Sequence, residues 1–166
     1  MTSILDWLMV SLSTAGNGGM LWIATGFILL LNKAWRPAGW YLLLGVLLAG
    51  IAQELLKNLF QVPRPVHADP SKLLIKVPTS FSFPSGHTLV AFSSAGILYA
   101  LLPQLGIPAL FLACLIGISR VYLGVHFVSD ILGGIVFGLG ITVLVLWFKG
   151  RLTQWKGKSL RQEADS

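Results

Sequence analysis

Residues 119–130 read SRVYLGVHFVSD and place an arginine, a histidine and an aspartate within an otherwise apolar part of the chain. His126 and Asp130 are four residues apart, so on a helix they share a face and the carboxylate can accept a hydrogen bond from one ring nitrogen. The other nitrogen is then free to act as a nucleophile or a base. Arg120 precedes His126 across a turn that contains a glycine, and it can bind an anion held near that histidine. A capped helix start with a structural histidine explains this segment equally well, because short motifs also occur by chance.

The composition is that of an integral membrane protein. Of 166 residues, 55% are hydrophobic and 11% are charged, with a mean hydropathy of +0.78, whereas about 25% of the residues in soluble domains are charged. The net charge of +6 would suggest a nucleic-acid partner in a soluble protein. In a membrane protein it is explained by lipid headgroups, topology and an anionic substrate, so no nucleic-acid partner is expected. The length predicts a single domain over residues 1–166, and the one cysteine, Cys114, excludes a disulfide within the chain.

Apolar runs divide the chain into six predicted helices. Residues 3–14 are too short to span a bilayer and are expected to form an interfacial helix, which the glycines of residues 16–19 end. No cleavable signal peptide is expected, because no basic region precedes this stretch and Asp6 lies inside it. The predicted fold is an all-α integral membrane protein with about five transmembrane helices and the interfacial helix, in a six-helix bundle. The predicted spans are residues 20–31, 39–60, 85–102, 107–121 and 126–148.

The distribution of basic residues predicts the orientation of these spans. Lys33 and Arg36 lie between the first and second spans, and five basic residues follow the fifth span in a polar tail, residues 149–166, which is expected to fray. Five spans put both groups on one side, which the positive-inside tendency assigns to the cytoplasm. We therefore expect a plasma-membrane protein with a cytoplasmic C-terminus. The proline-rich residues 61–83 are expected to form a loop on the outer face.

Three segments that are distant in sequence end on that outer face: residues 57–65, KNLFQVPRP; residues 84–87, PSGH; and residues 119–130. Together they resemble the type 2 phosphatidic acid phosphatase superfamily. The pattern of that family is K, six residues, RP; then PSGH; then SR, five residues, H, three residues, D. Every fixed position is present here at the right spacing. The motifs cover about a sixth of the chain, and the resemblance extends over the helical arrangement from the second span onward.

The residue chemistry independently indicates a phosphate site. Lys57, Arg64 and Arg120 supply positive charge for the oxygens of a transferred phosphoryl group, at a depth where unpaired cations are costly. Snorkelling to lipid headgroups is the alternative explanation for each of them. Ser85 is suited to cap the following helix, Gly86 allows the backbone to approach a ligand, and both are expected to belong to the phosphate-binding site. The free N–H groups at such a helix start form a cradle for an anion, although a capped helix after a turn explains the same residues.

The resemblance also implies catalytic roles. In this interpretation His126 attacks phosphorus and forms a phosphohistidine, while Asp130 orients its ring. His87 acts as the general acid and then helps water to hydrolyse the intermediate. Nothing in the scheme requires a cofactor or a metal, and the outer face lacks the carboxylate cluster that a magnesium site needs.

The leading hypothesis is a membrane phosphatase that removes the terminal phosphate of a lipid phosphate or diphosphate within the bilayer, at the outer leaflet. The resemblance and the small size point to a bacterial enzyme acting on undecaprenyl diphosphate, phosphatidylglycerophosphate or phosphatidic acid. A lipid phosphotransferase would use the same residues, and a non-catalytic protein that binds lipid headgroups is a further alternative. Vanadium haloperoxidases resemble this superfamily but are soluble proteins, which argues against a haloperoxidase function for this apolar chain. Glu54 can pair with Lys57, relay protons or face a neighbouring helix, while Phe81 and Phe83 are expected to dip into the lipid.

Overall fold

The computed structural model describes residues 3–65 and 73–164, with side chains as far as residue 155. Within these ranges the protein is all-helical and has six α-helices, as expected, and a short 3₁₀ turn, Asn17–Gly19, joins the first two. Part of the predicted outer loop, residues 66–72, lies outside the described residues. The helices are α1 Ile4–Ala15, α2 Met20–Leu31, α3 Arg36–Phe60, α4 Gly86–Leu101, α5 Pro103–Tyr122 and α6 Val128–Ala164.

Three of these helices are long and apolar enough to cross a membrane: α3, α5 and the Val128–Trp155 part of α6. The helix α2 has only 12 residues, about 18 Å, which is shorter than a hydrocarbon core of about 30 Å. It reaches the length of a span only together with α1, from which it is bent by 51°. The helix α4 is also apolar but has 16 residues. By length and composition the N-terminal pair forms either one broken span or a re-entrant loop, whereas the sequence predicted an interfacial helix followed by a complete span.

The helix α4 lies at the centre of the bundle, where it packs against α3, α5 and α6. Most of its side chains are buried, which explains why its sequence is apolar on every face. Close packing of α4 on α6 depends on Gly134 and Gly138. A Cβ at Gly138 would lie 2.6 Å from the carbonyl oxygen of Leu89, and one at Gly134 would lie 2.9 Å from that of Ser85. These contacts hold the N-terminal ends of α4 and α6 side by side.

The helix α1 turns its polar side chains toward the protein. Ser3 and Asp6 form a capping box at its start, and Tyr122 on α5 donates a hydrogen bond of 2.9 Å to Asp6. Asp6 and Ser13 are buried, whereas Ile4 and the apolar residues beside it are exposed. Polar side chains face the protein and apolar side chains face outward. This is the arrangement expected for a helix surrounded by lipid, where the polar groups must find hydrogen-bond partners inside the protein.

The C-terminal tail is helical in the structure. The helix α6 continues to Ala164, so the expectation that residues 149–166 fray is wrong for residues 149–164. Near the start of this segment, the guanidinium of Arg151 lies 5.5 Å from the centre of the Trp147 ring, in range for a cation–π contact. The cytoplasmic location of the tail stays a prediction.

Candidate active site

A cavity of about 230 Å³ lies where α3 and α5 end and α4 and α6 begin. Six of the eight residues that the sequence singled out line this cavity, although they come from three segments that are distant in sequence. Asp130 and Ser85 lie behind its wall. The six lining residues are Lys57, Arg64, Gly86, His87, Arg120 and His126.

His126 and Asp130 form the hydrogen bond that their spacing predicted, but His126 lies two residues before α6 rather than on it. The Nδ1 of His126 is 3.1 Å from Oδ2 of Asp130, and the backbone N–H of Phe127 donates to the same oxygen at 2.9 Å. Asp130 is fully buried in the first turn of α6. Because the carboxylate accepts from Nδ1–H, the lone pair of the histidine is on Nε2, the other ring nitrogen.

That Nε2 lies 3.1 Å from Nη1 of Arg64. Burial lowers the pKa of His126 to about 4, although its hydrogen bond to Asp130 acts in the opposite direction. The imidazole is therefore neutral at pH 7. A neutral ring whose lone pair lies against a guanidinium has the protonation state that a nucleophile for phosphorus requires.

The guanidinium of Arg64 is held by the loop that precedes α4 and by the segment that precedes α6. Its Nε donates to the carbonyl of Ser80 at 2.8 Å, and its Nη1 donates to the carbonyl of Val125 at the same distance. Lys57 donates to the hydroxyl of Ser80 at 3.1 Å. Burial lowers the pKa of Arg64, but an arginine remains charged in proteins at neutral pH. Two cations are thus positioned on one wall of the cavity.

Arg120 is 2% exposed and lies at the end of α5. Its Nη1 donates to the hydroxyl of Ser13 on α1, whereas its buried Nε has no partner among the described residues. A buried donor without an acceptor is costly. Arg120 therefore has the capacity to bind an anion in the cavity. The hydroxyl of the neighbouring Ser119 donates to the carbonyl of Ile116 at 2.7 Å, within its own helix.

Ser85 and Gly86 define the start of α4. The Ser85 hydroxyl accepts from the backbone N–H and the hydroxyl of Thr88, and its own N–H donates to the carbonyl of Asp130 at 3.0 Å. This side chain caps the helix instead of lining the cavity. A Cβ at Gly86 would lie 1.7 Å from Oε1 of Gln53, so the glycine is required by close packing against α3 as well as by any ligand.

Several residues of the site belong to none of the sequence motifs. Ser82 is buried and donates to Oδ2 of Asp130 at 2.5 Å, and its hydroxyl is 3.3 Å from Nδ1 of His126. Ser80 binds both Lys57 and Arg64. Both serines lie in an irregular loop, where no periodicity relates a residue to the site.

The turn between α1 and α2 forms another wall of the cavity that was not anticipated. Gly16, Gly18 and Gly19 line it, and the carboxamide oxygen of Asn17 is 2.9 Å from Nε2 of His87. The composition of this turn indicated only a helix break, because glycines end helices for many reasons.

The structure positions three residues whose roles the sequence left open. Glu54 is exposed on α3 and lines a second, apolar groove with Leu47 and Ile51. Phe83 packs edge-on against Phe60, with the ring centres 5.1 Å apart, and also contacts Phe137. Phe83 is half-buried in this aromatic cluster, whereas Phe60 and Phe81 are exposed. The expectation that Phe81 and Phe83 dip into the lipid stays a prediction.

The site places buried cations around a neutral histidine in a bundle of apolar helices. This arrangement is typical of a membrane protein that binds an anionic group. The model of the PAP2 superfamily matches residues 38–154, and the chain belongs to this superfamily.

The chain is similar to named lipid phosphatases. It is 34% identical to an undecaprenyl-diphosphatase of Sulfolobus acidocaldarius over 142 residues, which cover 84% of this chain and 68% of that protein. It is 44% identical to phosphatidylglycerophosphatase B of Bacillus subtilis over 91 residues, 48% of this chain and 45% of that protein. A crystal structure of a transmembrane PAP2 type phosphatidylglycerolphosphate phosphatase from B. subtilis superposes with a TM-score of 0.74 at 32% identity, covering 91% of this chain and 79% of that one. The family and these relatives identify a phosphatase.

Proposed function

We propose that this chain removes the terminal phosphate of a lipid phosphate or diphosphate at the outer face of the plasma membrane, through a phosphohistidine on His126. The observation that carries the proposal is the arrangement of Asp130, His126 and Arg64. The carboxylate holds Nδ1–H, which leaves the Nε2 lone pair 3.1 Å from the guanidinium. A phosphate drawn to Arg64 would therefore meet the nucleophile directly.

The proposed reaction has two half-reactions. In the first, the Nε2 lone pair of His126 forms a bond to phosphorus while the bond from phosphorus to the lipid oxygen breaks, and His87 gives its proton to the departing oxygen. In the second, a water molecule attacks phosphorus and passes one proton to His87. The bond between phosphorus and nitrogen breaks, its electron pair returns to Nε2, and free phosphate leaves.

The phosphate-binding role is assigned to three side chains and one helix start. Lys57, Arg64 and Arg120 line the cavity and neutralise charge on the phosphoryl oxygens. The first N–H groups of α4, beginning at Gly86, have no acceptor within the helix and can bind the same oxygens. Ser85 supports this site by capping α4.

The substrate class is drawn from the relatives, which are named for undecaprenyl diphosphate, phosphatidylglycerophosphate and the 1-phosphate of lipid A. These molecules share a phosphate anchored in a bilayer by hydrocarbon chains. Because the chains leave lipid only at a cost of about 0.8 kcal/mol for each CH₂ group, the substrate must reach the cavity laterally.

The test is phosphate release by purified protein in detergent with EDTA present, from undecaprenyl diphosphate, phosphatidylglycerophosphate and phosphatidic acid in turn. We expect release from at least one lipid, and its loss in His126→Ala. His67→Ala is the matched control, because His67 is outside all three motifs. Release that survives His126→Ala contradicts the phosphohistidine mechanism. Release only after an acceptor lipid is added identifies a phosphotransferase, and binding without turnover identifies a lipid-binding protein.

The sidedness is tested separately with an impermeant thiol reagent on intact cells. In a Cys114→Ala background, Thr79→Cys in the described part of the loop should react from outside, and Lys33→Cys between α2 and α3 should be protected. The reverse pattern overturns the orientation.

A further inference from the structure

The turn between α1 and α2 contributes a polar side chain to the cavity. The carboxamide oxygen of Asn17 lies 2.9 Å from Nε2 of His87, within normal hydrogen-bond distance. An amide oxygen only accepts, so Nε2 must carry the hydrogen in this contact. Asn17 is also outside residues 38–154, which the family model matches.

The backbone around Asn17 is built to hold this position. A Cβ at Gly16 would lie 2.9 Å from Cδ2 of the His87 ring, so the glycine allows the turn to pack directly on the imidazole. Gly18 and Gly19 have positive φ angles of 58° and 70°, which a residue with a side chain adopts at a cost. A Cβ at Gly19 would also lie 3.3 Å from Val46 and Val90. The turn is therefore seated between α3 and α4.

The turn is polar although it lies within an apolar segment. It interrupts a segment, α1 with Asn17–Leu31, that is long and apolar enough to be one membrane span. Irregular backbone at membrane depth is tolerated where it is buried in protein or lines a water-filled cavity. This turn lines the cavity that contains His87 and His126. A second contact from the same region, between Ser13 and Arg120, ties α1 to the opposite side of the site.

We propose that Asn17 is a positioning residue for His87: its carboxamide oxygen accepts from Nε2–H and fixes the rotation and tautomer of the ring. The other ring nitrogen, Nδ1, then gives its proton to the lipid oxygen from the imidazolium form and takes one back from water, while Nε2–H stays bonded to Asn17. This inference rests on the proposed general-acid role of His87. It follows the general rule that the hydrogen bond at one histidine nitrogen determines the chemistry of the other.

A double-mutant cycle tests whether Asn17 acts through His87. Asn17→Ala is expected to lower kcat by about 10- to 100-fold, the usual effect of losing a partner that orients a reactive histidine, with KM changed by less than about threefold. Asn17→Asp keeps an acceptor oxygen in the same position and should stay within about fivefold of wild type. In a His87→Ala background, Asn17→Ala should lower kcat by no more than about twofold, because coupled residues are not additive. Asn58→Ala is the matched control, since Asn58 is exposed on α3 and bonded to its own helix.

A spectroscopic arm does not depend on turnover. The protein has three histidines, and ¹⁵N-histidine NMR with assignment by His→Ala variants reports the tautomer of each. Neutral His87 should be the Nε2–H tautomer in wild type and should become a mixture of tautomers in Asn17→Ala. Asn17→Ser serves in both arms if the alanine variant is not monodisperse.

The outcomes separate this inference from the proposed function. Wild-type kcat in Asn17→Ala, or a full additional loss in the His87→Ala background, overturns the positioning role while leaving the phosphatase intact. If His126→Ala retains turnover or His87→Ala retains full kcat, the proposed mechanism fails instead. The NMR arm then decides whether Asn17 fixes the ring, and unchanged His87 signals in Asn17→Ala overturn that as well.

Discussion

Replacing Asp130 by asparagine should remove the charge of this residue while keeping its hydrogen bonds. Its Oδ2 accepts hydrogen bonds from Ser82, His126 and Phe127 at 2.5, 3.1 and 2.9 Å, and its buried Oδ1 has no partner among the described residues. An asparagine can keep the three bonds with its oxygen and place its NH₂ group at the Oδ1 position. That group is then buried without an acceptor, which costs about 1–3 kcal/mol of folding free energy.

The catalytic effect follows from the lost charge. At 3.1 Å and an effective dielectric constant of about 20, a full positive charge on His126 is attracted to the carboxylate by about 5 kcal/mol. If about half of that charge develops in the transition state, the substitution removes about 2.5–3 kcal/mol of stabilisation. Since each tenfold change in rate corresponds to about 1.4 kcal/mol, we expect kcat to fall about 10²-fold in Asp130→Asn.

The assay is steady-state phosphate release, with rapid quenching to trap the acid-labile phosphohistidine from labelled lipid. Formation of the phosphoenzyme should be the slowed step. Asp6→Asn is the matched control, because Asp6 is another buried aspartate that accepts a hydrogen bond at 2.9 Å, from Tyr122, yet does not line the cavity. A rate within threefold of wild type in Asp130→Asn, or an equal loss in both variants, would refute the reasoning.

Three further predictions follow from single contacts. Ser82→Ala removes a hydrogen bond to the Asp130 carboxylate and should cost about 1.5–3 kcal/mol in thermal unfolding and about tenfold in kcat; unchanged melting would contradict this. Gly134→Ala places a Cβ 2.9 Å from the carbonyl oxygen of Ser85 and should destabilise the fold by about 1–3 kcal/mol. Gly140→Ala, with open space around its Cβ, should not lower the melting temperature. Burial lowers the pKa of His126 to about 4, so its neutral form persists above that pH. The acid limb that His126 causes in the pH profile of kcat/KM should therefore appear near pH 4. A limb near pH 6.5 assigned to His126 would contradict this prediction.

The sequence was most informative where the helices carry an unbroken pattern. The apolar runs in α3, α4, α5 and α6 located these helices to within a few residues at most ends. At the N-terminus the same reasoning predicted an interfacial helix followed by a complete span. The structure has two short helices that reach span length only together. Hydropathy measures how apolar a segment is, and it does not measure whether a glycine turn is packed against a neighbouring helix.

The motif residues met in space because each lies at the end of a helix or within a few residues of one, and helix ends on one side of a bundle converge. That convergence could be inferred from the order of the spans alone. The contributions of Ser82, Ser80 and Asn17 could not, because irregular backbone has no periodicity that relates a residue number to a direction in space. The hydroxyl of Ser85 shows the converse. Its position before α4 predicted a cap, which its bonds to Thr88 form, and its contact with phosphate stays a prediction.

The sequence by itself determined the all-helical membrane class, the superfamily resemblance and the identity of the residues that carry charge in the cavity. These properties depend on composition and on fixed spacings along the chain. Only the tertiary structure decided which hydrogen bonds orient those residues, from Ser82 to Asp130 and from Asn17 to His87. Such bonds join loops to helices across 48 and 70 residues, and they form because buried polar groups must find partners wherever the fold brings one within reach.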